Sequence, residues 1–382
     1  MKVGIAGGGT GGHVYPAIAV VESLSGVVEH VEITFVGTGR GLEKGIIGNL
    51  GYRMRRIISR PLPSRKNASF VFSLLCATVG FVQSLVIILR ERFNVVIGTG
   101  GYASGPFVFA ASVLGVPTLL IEPNSIPGRT TVLLARFVDE VALGFRESVR
   151  HFSKGTNLRV TGIPVRPRLL GARKTEGMRI FGFDPKKKTV FVFGGSRGAS
   201  SINRAFVEAA EILQGKQEVQ FLVQTGHKDY EYVSRALDKV DLSCKVYPYI
   251  DDIGCAYGVS ELAVCRAGAA TISELTACGL PSILIPYPHA TWSHQEANAR
   301  ILETKGAAIV IKDEELTGKL LAQTIVNVIS DPTTMGRMSV NSKKLARPDA
   351  SGEIASRLVE LATAKGRLAK LAAALGELCS VR

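Results

Sequence analysis

Ala6-Gly7-Gly8-Gly9-Thr10-Gly11-Gly12-His13 is the stretch that decides the fold. The apolar run entering it, Val3 to Ala6, reads as a short buried strand. Beyond it Pro16, Ala17, Val20, Val21 and Leu24 recur at helical spacing, with the proline in the first turn, where a missing N–H costs little. The stretch is a strand, a glycine loop and a helix start. Glycines admit close backbone approach, and a helix N-terminus offers unpaired N–H groups and partial positive charge. That arrangement suits a phosphate or diphosphate. His13 is the one residue in it able to move a proton near neutral pH.

Three readings of the loop compete. Gly7-x-Gly9-x-x-Gly12 satisfies the dinucleotide fingerprint, with Glu32 placed as its ribose-binding acid. Gly7-x4-Gly12 begins a P-loop, but His13 stands where the lysine is required, which argues against an NTPase. A tight strand-to-helix turn selects glycine without any ligand.

Outward from the loop, Val31 to Val36 closes a strand–helix–strand unit. Val95 to Ile97 is a strand running into a second glycine loop, Gly98-Thr99-Gly100-Gly101-Tyr102-Ala103-Ser104-Gly105-Pro106. Thr118 to Ile121 and Val138 to Leu143 add two more, the first ending in Glu122-Pro123-Asn124. Strands alternating with helices imply a parallel sheet covered on both faces, with ligands at the C-terminal strand ends. Gly162-Ile163-Pro164-Val165-Arg166-Pro167 interrupts the pattern and marks a boundary between a domain 1–163 and a domain 164–340. The opening scheme then recurs: strand Thr189 to Phe193, loop Gly194-Gly195-Ser196-Arg197-Gly198, and a helix marked by Ile202, Ala205, Phe206, Ala209 and Leu213. Val219 to Val223, Lys245 to Tyr247, Leu262 to Val264, Ser282 to Ile285 and Ala308 to Ile311 supply further strands. A helix within 341–365 is expected to return to the first domain, leaving 366–382 as a tail or an extra amphipathic helix.

With 382 residues, 46% hydrophobic and 20% charged, the chain has room for two ordinary domains and is not of disordered type. A net charge of +14 fits nucleic acid, an anionic membrane surface, anionic substrates or merely a basic soluble surface. Six scattered cysteines, without a Cys-x-x-Cys pair, argue against a zinc site or a disulfide framework and for a reducing compartment. The few residues before the first glycines are too short for a signal peptide's apolar core. Phe70 to Leu89 is uncharged, with Arg60, Arg65 and Lys66 before it and Arg90 and Arg92 after it. Its length permits a bilayer span, but Ser69, Ser73, Thr78, Gln83 and Ser84 dilute it. The expectation is a buried helix of the first domain, ahead of a helix that touches a membrane surface.

In the second half, Ala267-Gly268-Ala269-Ala270-Thr271-Ile272-Ser273-Glu274 reads as a helix start open to a diphosphate, with Glu274 in its first turn. Glu274 is either a plain helix-start acid or an acceptor for a ribose diol. Pro286 to Asn298 is dense in polar side chains, and its amides suit sugar hydroxyls. Asp251-Asp252 reads as a cap rather than a metal pair.

Seven motifs occur in order: Gly8-Gly9-Thr10-Gly11-Gly12-His13, Gly100-Gly101-Tyr102-x-Ser104-Gly105-Pro106, Glu122-x-Asn124, Gly162-x-Pro164-Val165-Arg166, Gly194-Gly195-Ser196-x-Gly198-Ala199, Arg266-x-Gly268-Ala269-x-Thr271-x-Ser273-Glu274 and Gln295-x-x-Asn298. Together they resemble the MurG family, the UDP-N-acetylglucosamine transferases of bacterial peptidoglycan synthesis. The resemblance implies an α/β fold of the GT-B type, two Rossmann-like domains with parallel sheets facing across a cleft. It implies an inverting hexosyltransferase moving GlcNAc from UDP-GlcNAc to the 4-hydroxyl of MurNAc in undecaprenyl-pyrophosphoryl-MurNAc-pentapeptide (lipid I), giving lipid II. It places the protein peripherally on the cytoplasmic face of the bacterial cell membrane. Its partners would be an anionic membrane surface and other cell-wall synthesis proteins, with no nucleic acid, cofactor or metal.

Carried over by position, the resemblance puts Ile250 on uracil and Glu274 on ribose. Ser196 and the helix start Ala269, Ala270, Thr271, Ile272 and Ser273 would hold the diphosphate, with Arg166 near the nucleotide. Gln295 and Asn298 would read sugar hydroxyls, and Thr10, Gly11, Gly12 and Asn124 would approach the UDP-GlcNAc from the first domain. Gly100, Gly101 and Tyr102 would bind the acceptor, and His13 is the candidate general base. Arg197, Ala267, Pro123 and Gly128-Arg129-Thr130-Thr131 depart from the commoner family pattern. The alternatives are a GT-B transferase acting on diacylglycerol, a dinucleotide-dependent oxidoreductase, and a non-catalytic nucleotide-sugar-binding scaffold at a membrane.

Overall fold

The computed structural model describes residues 1–8, 11–39, 42–61, 68–171 and 174–364. The first unit takes Met1–Arg166 together with the chain from Asp349, and the second takes Pro167–Pro348. The division falls at the end of the two-proline stretch.

In the first unit the strands are β1 (Lys2–Ala6), β2 (Glu32–Gly37), β3 (Arg53–Arg56), β4 (Val95–Gly98), β5 (Thr118–Glu122), β6 (Glu140–Leu143) and β7 (Leu158–Val160). They form one parallel sheet in the order β3-β2-β1-β4-β5-β6-β7. Val3, Ile5, Val95, Ile97 and Leu119 have no solvent exposure. Each such side chain contributes about 1.5–3 kcal/mol by leaving water. The sequence reading omitted β3 and β7. Both are edge strands carrying arginine, without the apolar run that marks a strand buried on both faces.

The second unit has β8 (Lys188–Phe193), β9 (Val219–Gln224), β10 (Cys244–Tyr247), β11 (Leu262–Cys265), β12 (Ser282–Leu284) and β13 (Ala308–Val310). They form a second parallel sheet, β10-β9-β8-β11-β12-β13. In each sheet the order reverses beside the first strand of the unit, between β1 and β4 and between β8 and β11. A crevice at the carboxyl strand ends opens at such a switch point.

The returning helix begins at 350 rather than 341, because the Pro332–Leu345 helix belongs to the second unit. Ile354, Ala355 and Leu358 join the core of the first unit. Arg357 reaches the buried carboxylate of Glu140 on β6 at 2.6 Å, which Arg159 also contacts at 3.1 Å. The expected tail, 366–382, lies outside the described residues.

The Ala68–Glu91 helix corrects the expectation of a buried element. Its inward face joins small residues to large apolar ones: Ser73, Cys76, Ser84 and Ile88 are buried, Phe81, Leu85 and Ile87 pack on the core of the first unit, and a Cβ on Gly80 would lie 2.2 Å from the Ile58 carbonyl. Its outward face is large and apolar, with Val71, Phe72, Leu75, Val79, Val82, Val86 and Leu89 all exposed. The helix is thus apolar on the side facing the core and apolar again on the side facing out, which carries few of the polar side chains a solvent-facing surface shows. It is the one helix among the described residues long and apolar enough to cross a membrane.

Candidate functional site

The opening loop and the second glycine loop lie side by side, because Ala6 is in register with Gly98. A Cβ on Gly7 would fall 2.0 Å from Thr99 Oγ1. Gly101, at φ +80°, would meet the Gly8 carbonyl at 2.6 Å. These glycines therefore serve loop-on-loop packing. Ser104 fastens the pair, donating to the carbonyls of Ala6 at 2.7 Å and Gly100 at 2.6 Å.

His13 sits half-buried in the first turn of the Gly11–Val27 helix. Its Nδ1 lies 2.8 Å from the Thr99 carbonyl, and the Thr99 hydroxyl donates to the His13 carbonyl at 2.7 Å. A carbonyl only accepts, so Nδ1 carries the proton and Nε2 of the neutral ring is the basic nitrogen. Gly100, at φ +96°, is packed so closely that a Cβ would stand 2.7 Å from His13 Nδ1. Gly11 and Gly12 form the helix start, while Thr10 lies outside the described residues. Tyr102 is half-buried, and its carbonyl accepts from Ser59 at 2.7 Å.

Glu122 ends β5 as a buried carboxyl. It accepts from the backbone N–H and side-chain amide of Asn124 at 3.0 and 3.3 Å, and from the Gly128 N–H at 2.9 Å. Burial raises its pKa above the usual carboxylate value, and these donors oppose the rise. Glu122 thereby fixes the turn that carries Asn124. Arg166 is buried in the same unit, its guanidinium 4.6 Å above the Tyr15 ring.

The dinucleotide reading fails on topology. Glu32 stands at the first residue of β2, paired with Lys2 at the opposite end of the sheet from the glycine loop. A ribose-binding acid belongs at the carboxyl end of that strand.

In the second unit Phe193 is in register with both Gln224 and Cys265, so the loops after β8, β9 and β11 converge. Ser196 is half-buried between Gly195 and Gly198, whose φ values are +91° and +75°. A Cβ on Gly198 would lie 2.0 Å from the Thr225 carbonyl. Gln224, absent from the sequence reading, is buried at the end of β9. Its amide donates to the Gly195 carbonyl at 3.2 Å and accepts from the Ile250 N–H at 2.9 Å. One side chain thus spans the Ser196 loop and Ile250.

The Ala269–Cys278 helix starts at an extended Gly268 without a side-chain cap. Ile272 is the first residue to bond back, to the Gly268 carbonyl. The N–H groups of Ala269, Ala270 and Thr271 precede the intrahelical ladder, an arrangement that suits an anion. The Ser273 hydroxyl turns back to the Ala270 carbonyl at 2.8 Å. Glu274 falls in the second turn, not the first, so the helix dipole does not account for it. It is buried and accepts from the Tyr257 hydroxyl at 2.9 Å.

Arg266 ties its own loop to the loops after β12 and β13 and to the start of the Ser200–Leu213 helix. It donates to the Ile285 and Pro286 carbonyls at 3.1 and 3.2 Å, to Asp313 at 2.6 Å and to Ser201 at 2.8 Å. Gln295 accepts from the Tyr287 N–H at 2.9 Å and is half-buried, whereas Asn298 has no exposed surface. Asp252 stands at the N-cap of Ile253–Val259, though its side chain makes no capping bond. Among the described residues no His, Cys, Asp or Glu cluster suits a metal.

Comparison with known proteins matches this geometry to a family. Residues 3–143 fit the glycosyltransferase family 28 N-terminal domain and residues 189–354 its C-terminal domain. A UDP-N-acetylglucosamine--N-acetylmuramyl-(pentapeptide) pyrophosphoryl-undecaprenol N-acetylglucosamine transferase of Desulforamulus reducens is 41% identical over 93% of this chain and 97% of its own. The enzyme of the same name from Halothermothrix orenii is 40% identical over 96% of this chain and 100% of its own. In fold, the chain is similar to the crystal structure of Acinetobacter baumannii MurG, with a TM-score of 0.74 and 24% identity, covering 94% of this chain and 99% of that one. With both domain models matched and near-complete relatives at this identity, the chain belongs to the MurG family of UDP-N-acetylglucosamine--N-acetylmuramyl-(pentapeptide) pyrophosphoryl-undecaprenol N-acetylglucosamine transferases.

Proposed function

We propose that this chain transfers N-acetylglucosamine from UDP-N-acetylglucosamine to the 4-hydroxyl of the N-acetylmuramyl unit of lipid I, giving lipid II with inversion at the anomeric carbon. The observation that carries the reading is the match to transferases of that name over nearly the whole of both chains. His13 supplies the chemistry that the name requires. Its Nε2 takes the proton of the attacking hydroxyl, the hydroxyl oxygen bonds to the sugar's anomeric carbon, and the bond from that carbon to the diphosphate oxygen breaks. UDP leaves with the bonding electron pair. The amide end at Ala269, Ala270 and Thr271, together with Ser196, balances the charge developing on the diphosphate.

The donor side belongs to the second unit. Ile250 gives its N–H to Gln224, so its carbonyl is the backbone group for uracil. Glu274 binds the ribose. Gln295 and Asn298, three residues apart on the His294–Thr304 helix, read the sugar hydroxyls. In the first unit, Arg166, Gly11, Gly12 and Asn124 are the candidates for further UDP-N-acetylglucosamine contacts, and Gly100, Gly101 and Tyr102 for acceptor contacts.

The exposed apolar face of the Ala68–Glu91 helix supports a peripheral place on an anionic membrane surface. The outward valines, leucines and Phe72 supply apolar area for the acyl boundary, and Arg60 lies 5.2 Å from the Phe72 ring. Each arginine near such a surface adds about 1 kcal/mol.

Mass analysis of a lipid I analogue incubated with UDP-N-acetylglucosamine tests the transfer. One added N-acetylhexosamine on the muramyl sugar is expected. Modification of diacylglycerol instead would transfer the reading to a glycolipid synthase.

A further inference from the structure

Tyr257 lies in the Ile253–Val259 helix with its ring buried beside Phe191 and Phe193, both centroids 6.0 Å away. A tyrosine at such a site has one polar atom to satisfy. That atom meets Glu274 Oε2 at 2.9 Å, seventeen residues along the chain and on a different helix. The Glu274 carboxylate is itself buried, so its orientation is set by the donors around it. The phenol's ring packs against the stacked pair of Phe191 and Phe193, and its O–H reaches a fixed point. Burial and the neighbouring Glu274 charge keep the phenol protonated, its pKa held well above the ordinary tyrosine value.

We propose that Tyr257 is a positioning residue for nucleotide recognition: its hydroxyl orients the Glu274 carboxylate for the ribose diol and so sets selectivity for ribose over deoxyribose. This rests on the reading of Glu274 as the ribose acceptor. Two vicinal hydroxyls satisfy a carboxylate only when its plane is correctly turned. A carboxylate released from the phenol loses that preset geometry and gains rotamer freedom, which weakens the diol contact while leaving uracil and diphosphate contacts in place.

The test is calorimetric titration of the full chain with UDP and with 2′-deoxyuridine diphosphate. The native chain is expected to favour UDP by about tenfold, the worth of one hydrogen bond to a charged group. Tyr257→Phe keeps the ring and its packing, and should bring that ratio to within about twofold of unity, as should Glu274→Gln. If Glu274→Gln collapses the ratio and Tyr257→Phe preserves it, Glu274 binds ribose but Tyr257 does not position it. If Glu274→Gln preserves the ratio, the ribose reading falls and the role of Tyr257 with it. Should the phenylalanine variant not fold, 3-fluorotyrosine at position 257 retains the shape and donates more strongly. The ratio must then hold or widen, and a fall would overturn the proposal.

Discussion

His13 and Thr99 hold each other by two hydrogen bonds, ring Nδ1 to carbonyl at 2.8 Å and hydroxyl to carbonyl at 2.7 Å. The first fixes the tautomer and the second fixes the helix turn that carries the ring. With Nε2 as the base, His13→Ala should lower turnover by about 10²–10⁴-fold. UDP affinity should be unchanged, because the nucleotide contacts assigned to Ser196, Ile250 and Glu274 are untouched. Steady-state kinetics beside UDP titration checks both; near-native turnover would dismiss the role.

Gly100 offers a gentler perturbation of the same group. A methyl group there would press on His13 Nδ1 and occupy a backbone conformation at φ +96° that L residues avoid. Gly100→Ala should lower kcat by about 10–100-fold through displacement of the ring, with the KM for UDP-N-acetylglucosamine little changed. Circular dichroism would establish that the fold survives.

Gln224 should matter to the donor alone. Gln224→Leu removes both bonds that join the Gly195 carbonyl to the Ile250 N–H and leaves those buried groups unpaired. The KM for UDP-N-acetylglucosamine is expected to rise about tenfold or more, and the KM for the lipid acceptor to stay constant. A rise in the acceptor KM instead would place Gln224 elsewhere in the mechanism.

The helix at Ala68–Glu91 allows membrane binding to be tested apart from folding. Leu75 is 60% exposed and Val82 54%, so glutamate at either should leave the thermal midpoint nearly unchanged. Sedimentation with anionic vesicles should fall markedly for the double variant, and further still as salt rises. Binding equal to that of the native chain would dismiss the outward face as the contact.

Glu140 tests how the C-terminal helix is held. Its carboxylate is buried, yet Arg357 and Arg159 are partly in water, which screens the pairs. Glu140→Ala should therefore cost about 2–3 kcal/mol, at or below the lower end for a fully buried pair. Denaturant unfolding measures it, and a change under 0.5 kcal/mol, the usual surface range, would contradict the account.

Much of this was legible in the sequence because the central strands of both sheets are uninterrupted apolar runs. Val3 to Ala6, Val95 to Ile97 and Thr189 to Phe193 had no competing reading. Arg53–Arg56 and Leu158–Val160 were not legible, since an edge strand keeps one side in water and needs no apolar run. Nor did composition reveal which face of the Ala68–Glu91 helix points outward. Ser73 and Ser84 read as dilution of an apolar segment, whereas they lie with Cys76 and Gly80 on its packing surface. The glycines at 7, 100 and 101 were ambiguous in another way, because a phosphate cradle and two loops in contact select glycine alike. Gln224, Tyr257 and Arg266 act across 17 to 65 residues of chain, beyond any local motif. A buried polar side chain at the end of a strand, as at Gln224, was the one available signal.

The most direct measurement of the central claim is UDP release from UDP-N-acetylglucosamine with and without a lipid I analogue, using the native chain and His13→Ala. The expected result is release that depends on the analogue and is lost in the variant. Release that is independent of acceptor, or stimulated only by diacylglycerol, would contradict it.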